Sequence, residues 1–305
     1  MLTGILLLDK PLGLSSNGAL QRVKRLLRAE KAGHVGSLDP LATGMLPICL
    51  GEATKIAGEI LSGRKRYAFT IALGSRTATG DVEGGVVETQ PVPAFDRSAL
   101  DSVLAGFLGK QSQVPPMYSA IKRDGQPLYK LARAGVEVER APRDIEIFEL
   151  VPVDFDHSRI RLETSCSKGT YVRTLAEDIA RALGTCGHVA ELRRVNVEPF
   201  ETEPMVTLDA VQACAEAGTL PTLLAADRGV PHLAEVRLGQ AATARVMHGQ
   251  PAAVPAETGQ AGLAPGRVRL YDAQGEFFGL GESDGFGTVH PRRLFVAPAA
   301  VTPAG

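Results

Sequence analysis

Apolar positions along this chain change their period several times, and each change marks an element. The segment "GILLLDKPLGLSSNGALQRVKRLL" opens with an unbroken apolar run, Ile5 to Leu8, which predicts a short buried strand. A Pro-Gly turn follows, and Ser15 or Ser16 is placed to cap a helix with Leu20, Val23, Leu26 and Leu27 on its apolar side. "YAFTIALG", residues 67–74, predicts a second strand, and "GSRTATGDVEGG" a polar, Gly-rich loop after it. Leu100, Val103 and Leu104 give "SALDSVLAGFLG" a helical face, whereas "DIEIFELVPVDF" and "RIRLETSC" alternate as strands, the second with Ile160 and Leu162 on one side. Val172, Leu175, Ala176, Ile179 and Leu183 recur at helical spacing after the turn "SKGT", with Gly184 placed to end that helix. "LDAVQACAEAG" predicts a further helix.

Strands and helices interleave without a regular βαβ repeat, which favours an α+β protein over a doubly wound one. From about Pro231 the pattern shifts to one helical stretch, "GQAATARVMHGQ", and short strands such as "RVRLYDA" and "FFGLGE" separated by Gly turns. We therefore expect two domains, 1–228 and a small β-rich 229–305. "PAAVPAETGQAGLAPG", residues 251–266, reads as a mobile loop in the second.

Composition narrows the class. At 305 residues, with 44% hydrophobic and 22% charged side chains, the chain is an ordinary globular sequence. No apolar run spans a bilayer and no leader pattern opens the chain, so a cytoplasmic protein is expected. Cys49, Cys166, Cys186 and Cys214 have neither CxxC nor metal-ligand spacing and read as small buried thiols. Net charge is -1, yet basic residues cluster: Arg22, Lys24, Arg25, Arg28 and Lys31, then Arg64 to Arg66, Lys122-Arg123, Arg193-Arg194 and Arg292-Arg293. Each cluster is either a solvated face or a local phosphate-binding patch.

The chemistry centres on "GHVGSLDPLATGMLPICLG", residues 33–51, where Asp39 stands nearly alone among apolar and turn-forming residues. An acid between Gly36 and Pro40 can simply cap a turn. Held in apolar surroundings, however, a carboxylate needs a partner or it protonates. Arg173, in the first turn of a helix beside Tyr171, is a plausible one. Tyr67, His34 and Leu192 each have a plain alternative as strand-edge, loop and core residues. Dinucleotide, P-loop, GxSxG and HExxH signatures are absent, and "LDPLAT" lacks the continuation of an aspartyl-phosphate enzyme.

Together these segments resemble a known family. "GHVGSLDPLATGMLPICLGEATK" is similar to the catalytic-aspartate motif of the bacterial tRNA pseudouridine-55 synthases of the TruB type. "LLLDKPLGLSS", "KRYAFTIALGSRTATGDVEG", "VPPMYSAIKRDGQPLYKLAR", "CSKGTYVRTLAEDIA" and "HVAELRRVNVEPF" resemble its other motifs, in order, across about residues 3 to 200. The resemblance implies an α+β pseudouridine synthase fold with a mixed, largely antiparallel sheet, flanking helices and a C-terminal PUA-like RNA-binding domain. It places the catalytic carboxylate on Asp39, the active-site tyrosine on Tyr67, and the motif tyrosine and arginine on Tyr171 and Arg173. It further places the base-packing leucine on Leu192, a T-loop-contacting histidine on His34, and a pair near the tyrosine on Lys10 and Pro11.

The implied reaction isomerises uridine at position 55 in the tRNA T loop, by flipping the base into a pocket. Because it is an isomerisation, neither cofactor nor metal is implied. A carboxylate starts it by attacking C1′ or the base, or by drawing off a ribose proton. Arg173 is expected to lower the Asp39 pKa against desolvation, Tyr67 to stack on uracil and to help remove the C5 proton, and the basic clusters to bind the RNA backbone. The resemblance implies a monomer with no obligatory protein partner. The competing readings are an RNA-folding helper whose chemistry is secondary and a guide-RNA-dependent synthase.

Overall fold

The computed structural model describes residues 2–123, 125–254 and 263–296. Along the chain the elements are β1 (Gly4–Lys10), α1 (Ser16–Leu26), β2 (Ala32–His34), β3 (Ala42–Leu50), α2 (Ala57–Ser62) and β4 (Lys65–Leu73). Next come β5 (Ser75–Thr77), β6 (Val86–Thr89), α3 (Arg97–Ala105), β7 (Gly109–Gln113), β8 (Lys122–Arg123), β9 (Gln126–Pro127) and α4 (Leu128–Arg133). β10 (Arg143–Phe155), β11 (Arg159–Cys166), α5 (Val172–Ala182), β12 (Gly187–Val197), β13 (Val206–Thr207) and α6 (Leu208–Glu216) complete the larger unit. The predicted elements are present with ends moved by a few residues, as fraying and capping make usual.

One large sheet runs β13-β1-β3-β12-β4-β11-β10-β7, with β2 also paired to β3. β1 with β13 and β12 with β3 are parallel and the other neighbours antiparallel, so the sheet is mixed and largely antiparallel. Alternation along β1 divides its side chains between two cores: Leu6 and Leu8 pack with Leu20 and Val23 of α1, while Ile5 and Leu7 pack with Ile56 and Ile60. A third core joins Phe69 and Ile71 of β4 to Leu175, Ala176 and Ile179 of α5. Ser15 caps α1, accepting a hydrogen bond from the Gly18 amide. Ser16, the other candidate, is buried instead and bonds Leu38 in both directions, 2.9 Å to its carbonyl and 2.7 Å from its amide. That bond fixes the loop just before Asp39.

Where β12 meets β3, Gly44 has φ +99°, and a Cβ there would lie 2.2 Å from the Arg194 carbonyl oxygen. No other residue fits this crossing.

The C-terminal strands β14 (Ala234–Arg237), β15 (Ala252–Ala253), β16 (Gly266–Tyr271), β17 (Phe277–Ser283) and β18 (Thr288–Leu294) form a second sheet, with α7 (Gln240–Met247) beside it. Within the expected loop 251–266, Ala252 and Ala253 pair with β18, and residues 255–262 lie outside the described residues, so its expected mobility does too. The two sheets meet through apolar packing of Leu280, Phe277 and Phe295 against the core around Ile56. A buried polar latch reinforces it: Glu52 accepts hydrogen bonds from Lys55 Nζ and the Val296 amide, both 2.6 Å, and Lys55 also donates to the Leu294 carbonyl. Burial pushes the Glu52 carboxyl up, but these bonds outweigh it and leave its pKa below the ordinary value.

Replacing Glu52 with Ala is expected to cost about 1–3 kcal/mol, the usual penalty for orphaned buried donors, read by urea unfolding and by faster proteolysis after residue 230. Since the folded pKa is depressed, the latch contributes above pH 4.5, the unfolded value, and is lost as pH falls below it.

Candidate active site

A cleft of about 720 Å³ opens over the centre of the large sheet, lined by Asp39, Tyr67, Leu192 and Arg173 together with His34 and Tyr171. These come from segments more than a hundred residues apart. Sheet register brings Tyr67 on β4 opposite Arg194 on β12, and Leu192 opposite Phe69. The segment Ser119–Ile121 supplies another wall.

Asp39 sits in the loop between β2 and β3, where its carbonyl closes a turn by accepting from the Ala42 amide at 3.0 Å. So the turn role is real, but its carboxylate does something else: Oδ2 lies 3.1 Å from Arg173 Nε. Arg173 is 5% exposed and also faces Asp81, 3% exposed, at 3.6 Å. Its remaining donors reach the carbonyls of Thr79 at 2.8 Å and Tyr118 at 2.6 Å. One guanidinium therefore ties α5, the Thr77–Gly84 loop, the Tyr118 segment and Asp39 together.

Its own helix starts without a side-chain cap. Gln113 at the end of β7 compensates, accepting from the Tyr171 amide at 2.8 Å and donating to the Tyr171 carbonyl at 3.1 Å.

Asp81 carried no signal in the sequence, where it reads as one polar residue of a glycine-rich loop. Pairing of the loop with β12 buries it: Val82 donates to the Val189 carbonyl and Val189 to the Gly80 carbonyl. Its carboxylate accepts from Thr79 Oγ1 and the Glu83 amide.

The electrostatic expectation for Asp39 needs correction. Burial raises its pKa, Arg173 opposes that, Asp81 adds to it by like-charge repulsion, and the net direction is upward. Asp39 is thus a carboxylate of increased basicity beside a cation that still favours its charged form. Burial likewise raises the Tyr67 and Tyr171 phenols, so both are neutral near pH 7. For His34, burial and then the Arg194 charge lower the pKa, which leaves a neutral imidazole.

Lys10 is fully buried and does not line the cleft; neither does the exposed Pro11. Lys10 Nζ donates to the carbonyls of Leu14 at 2.6 Å, Pro11 at 2.9 Å and Pro40 at 3.4 Å, so it reaches the aspartate loop from behind. Burial holds its pKa down at about 8.

Several expected RNA-backbone donors are spoken for. Arg194 is 1% exposed, and Lys65 is buried with its ammonium on the carbonyls of Leu61 and Gly63. Arg64 stacks on Phe148, Arg66 pairs with Glu163, and Arg193 is bidentate to Asp9 at 2.8 and 3.0 Å. Among the described residues no cluster of three His, Cys, Asp or Glu side chains is arranged to hold a metal. No described helix is long and apolar enough to cross a membrane.

Residues 24–172 match the profile described as TruB family pseudouridylate synthase (N terminal domain). Residues 173–226 match the tRNA pseudouridylate synthase B C-terminal domain, and 234–295 match Pseudouridine synthase II TruB, C-terminal. The chain belongs to the TruB family of pseudouridylate synthases. It is 50% identical over 293 residues to the tRNA pseudouridine synthase B of Aromatoleum aromaticum, spanning 95% of this chain and 92% of that one. The protein of that name from Stutzerimonas stutzeri is 48% identical over 298 residues, spanning 96% and 95%. Among solved structures, a chain of a Cbf5-Nop10-Gar1 complex superposes with a TM-score of 0.72 at 25% identity, covering 96% of this chain and 85% of that one.

Two outcomes follow from this geometry. Arg173→Ala is expected to lose about 3–5 kcal/mol of stability, measured by urea unfolding, because it strands the buried Asp81 carboxylate as well as freeing Asp39. The acid limb of single-turnover activity is expected at a pH above 3.8, the ordinary aspartate value, and Asp81→Asn is expected to move that limb down by removing the like charge. A limb that stays in place in Asp81→Asn would show that the repulsion is negligible.

Proposed function

We propose that this chain converts uridine to pseudouridine at position 55 in the T loop of tRNA, with Asp39 as the catalytic carboxylate. The observation that carries the reading is the Asp39–Arg173 pair, set in a cleft of about 720 Å³ that Tyr67 and Leu192 also line. The tRNA substrate follows from relatives named tRNA pseudouridine synthase B at 46–50% identity over nearly the whole chain.

The reaction breaks the bond between uracil N1 and C1′, turns the freed base, joins C5 to C1′, removes the C5 proton and places a proton on N1. Atoms balance without a co-reactant. Attack on C1′, attack on the base and removal of a ribose proton all begin from an ionised carboxylate, and Arg173 is the cation that keeps Asp39 in that form. The raised basicity of Asp39 makes it a better nucleophile or base than an ordinary aspartate. Tyr67 and Leu192 hold the detached ring between an aromatic and an aliphatic wall while it turns. A neutral Tyr67 phenol is suited to hydrogen bonding in the proton removal at C5, with the carboxylate as the stronger base. His34, neutral at the mouth, can fill the space a flipped base leaves without carrying charge into it.

Flipping costs a few kcal/mol, which RNA-backbone contacts must supply. The exposed Arg22, Arg25 and Arg28 and the exposed Lys122, next to Ile121 of the cleft wall, remain for that purpose. We assign residues 1–228 to catalysis and 229–305 to a PUA-like RNA-binding domain, in line with the break between matched profiles at 226 and 234. The protein then works as a cytoplasmic monomer with no obligatory partner.

Incubation of the purified chain with an unmodified tRNA transcript, followed by mapping of pseudouridine, is expected to show conversion at position 55 alone. Asp39→Asn is expected to abolish product while RNA affinity stays within about twofold. Unchanged product in that variant would remove Asp39 from the chemistry, and dependence on an added guide RNA would favour the guided reading.

A further inference from the structure

Arg194 was grouped with the surface cations on sequence grounds, yet it is one of the most deeply buried side chains in the protein. Burying a guanidinium is costly unless its donors are matched, and here the matches are main-chain carbonyls of β3 and of the segment leading to Asp39. Nε donates to the Met45 carbonyl on β3 at 2.7 Å, and Nη2 to the Gly36 carbonyl at 2.9 Å, with the Val35 carbonyl at 3.5 Å. Gly36 stands three residues before Asp39. On the other side, Arg194 is the direct cross-strand partner of Tyr67, and both line the cleft. Among the described residues it has no carboxylate within salt-bridge distance, so its charge is met by main-chain carbonyl dipoles.

We propose that Arg194 is a positioning residue for the reaction: set beside Tyr67 by strand register, it fixes the Gly36–Asp39 loop relative to β3 and to the Tyr67 side of the cleft. Register sets its charge close enough to act on the Tyr67 phenol oxygen. The cation also opposes the effect of burial on any negative charge that builds on that oxygen. Lysine cannot replace it, because one ammonium does not reproduce a planar fork spanning β3 and the Gly36 loop. Gly36 belongs to the same device. It has φ +72°, and a Cβ there would sit 3.2 Å from Arg194 Nη1, so the fork and the bare glycine fit together.

This inference rests on the proposed pseudouridine chemistry, and its test separates the two. The full-length Arg194→Lys variant is compared with wild type for kcat and KM on tRNA, for tRNA Kd, and for melting temperature. In parallel, 3-fluorotyrosine replaces the five tyrosines, and the ¹⁹F resonance of Tyr67 is assigned by its disappearance in Tyr67→Phe. We expect kcat to fall at least tenfold, KM and Kd to stay within about twofold, and the Tyr67 resonance to shift while the others hold. Unchanged kcat, or an unmoved Tyr67 resonance, overturns the proposal; so does a loss confined to Kd, which would return Arg194 to the RNA-backbone donors. Should Arg194→Lys not fold, Gly36→Ala displaces the fork without deleting it, and the same pattern is expected with a smaller loss of kcat. Normal kcat in folded Gly36→Ala overturns the proposal. Wild-type protein that makes no pseudouridine would instead sink the reading of the reaction itself.

Discussion

A carboxylate that must stay charged inside an apolar cleft constrains everything around it. Water would stabilise the charge but would also compete with the substrate, so the protein substitutes one guanidinium. Arg173 can play that part because it is buried, saturated with acceptors and held by three separate segments. Asp81 has a double effect. It helps to hold Arg173 in place, and its charge pushes the Asp39 pKa upward. The result is a carboxylate more basic than usual, beside a cation that favours its charged form. A single Arg–Asp pair in the same place would hold its carboxylate lower and less reactive.

Much of the fold was legible because the sequence kept its periods clean. β4 and α5 could be placed from apolar spacing, and the mixed sheet followed from irregular interleaving. Pairing between distant strands was not legible in the pattern, since alternation fixes which face a residue takes and says nothing about its neighbour. Tyr67 meets Arg194 only through register between β4 and β12. The partner of Asp39 could be guessed as a cation following a turn into a helix, but the second acid could not. Asp81 lies in "TATGDVEGG", where polarity and glycine point to solvent, and it is buried by main-chain pairing that no side-chain pattern encodes.

Charge clusters misled for a related reason. An Arg-Arg or Arg-Lys-Arg string looks like a patch, but on a strand adjacent residues face opposite ways. Arg193 and Arg194 are adjacent in sequence and unlike in role: one is half exposed and clamped to Asp9, the other lies under the cleft. The Arg64–Arg66 triplet divides among Phe148, main-chain carbonyls and Glu163 in the same way. Helix α1 is different because a helix can keep several cations on one solvent-facing stripe, so that cluster stays available.

Three cations, Lys10, Arg173 and Arg194, surround the loop from His34 to Pro40, and each spends its donors mainly on main-chain carbonyls. Carbonyls of an irregular loop otherwise need water, and water is what a cleft for a detached base must exclude. Lys10 and Arg194 take the carbonyls of Pro40 and Gly36 in place of water, and Arg173 holds the Asp39 carboxylate. Apolar residues could pack around the loop more cheaply, but they could not satisfy its carbonyls. Rigidity here therefore comes from charge more than from packing. It is also why an aspartate can sit among glycines and still point in one direction: the loop's own residues permit many shapes, and cations on three other elements select one.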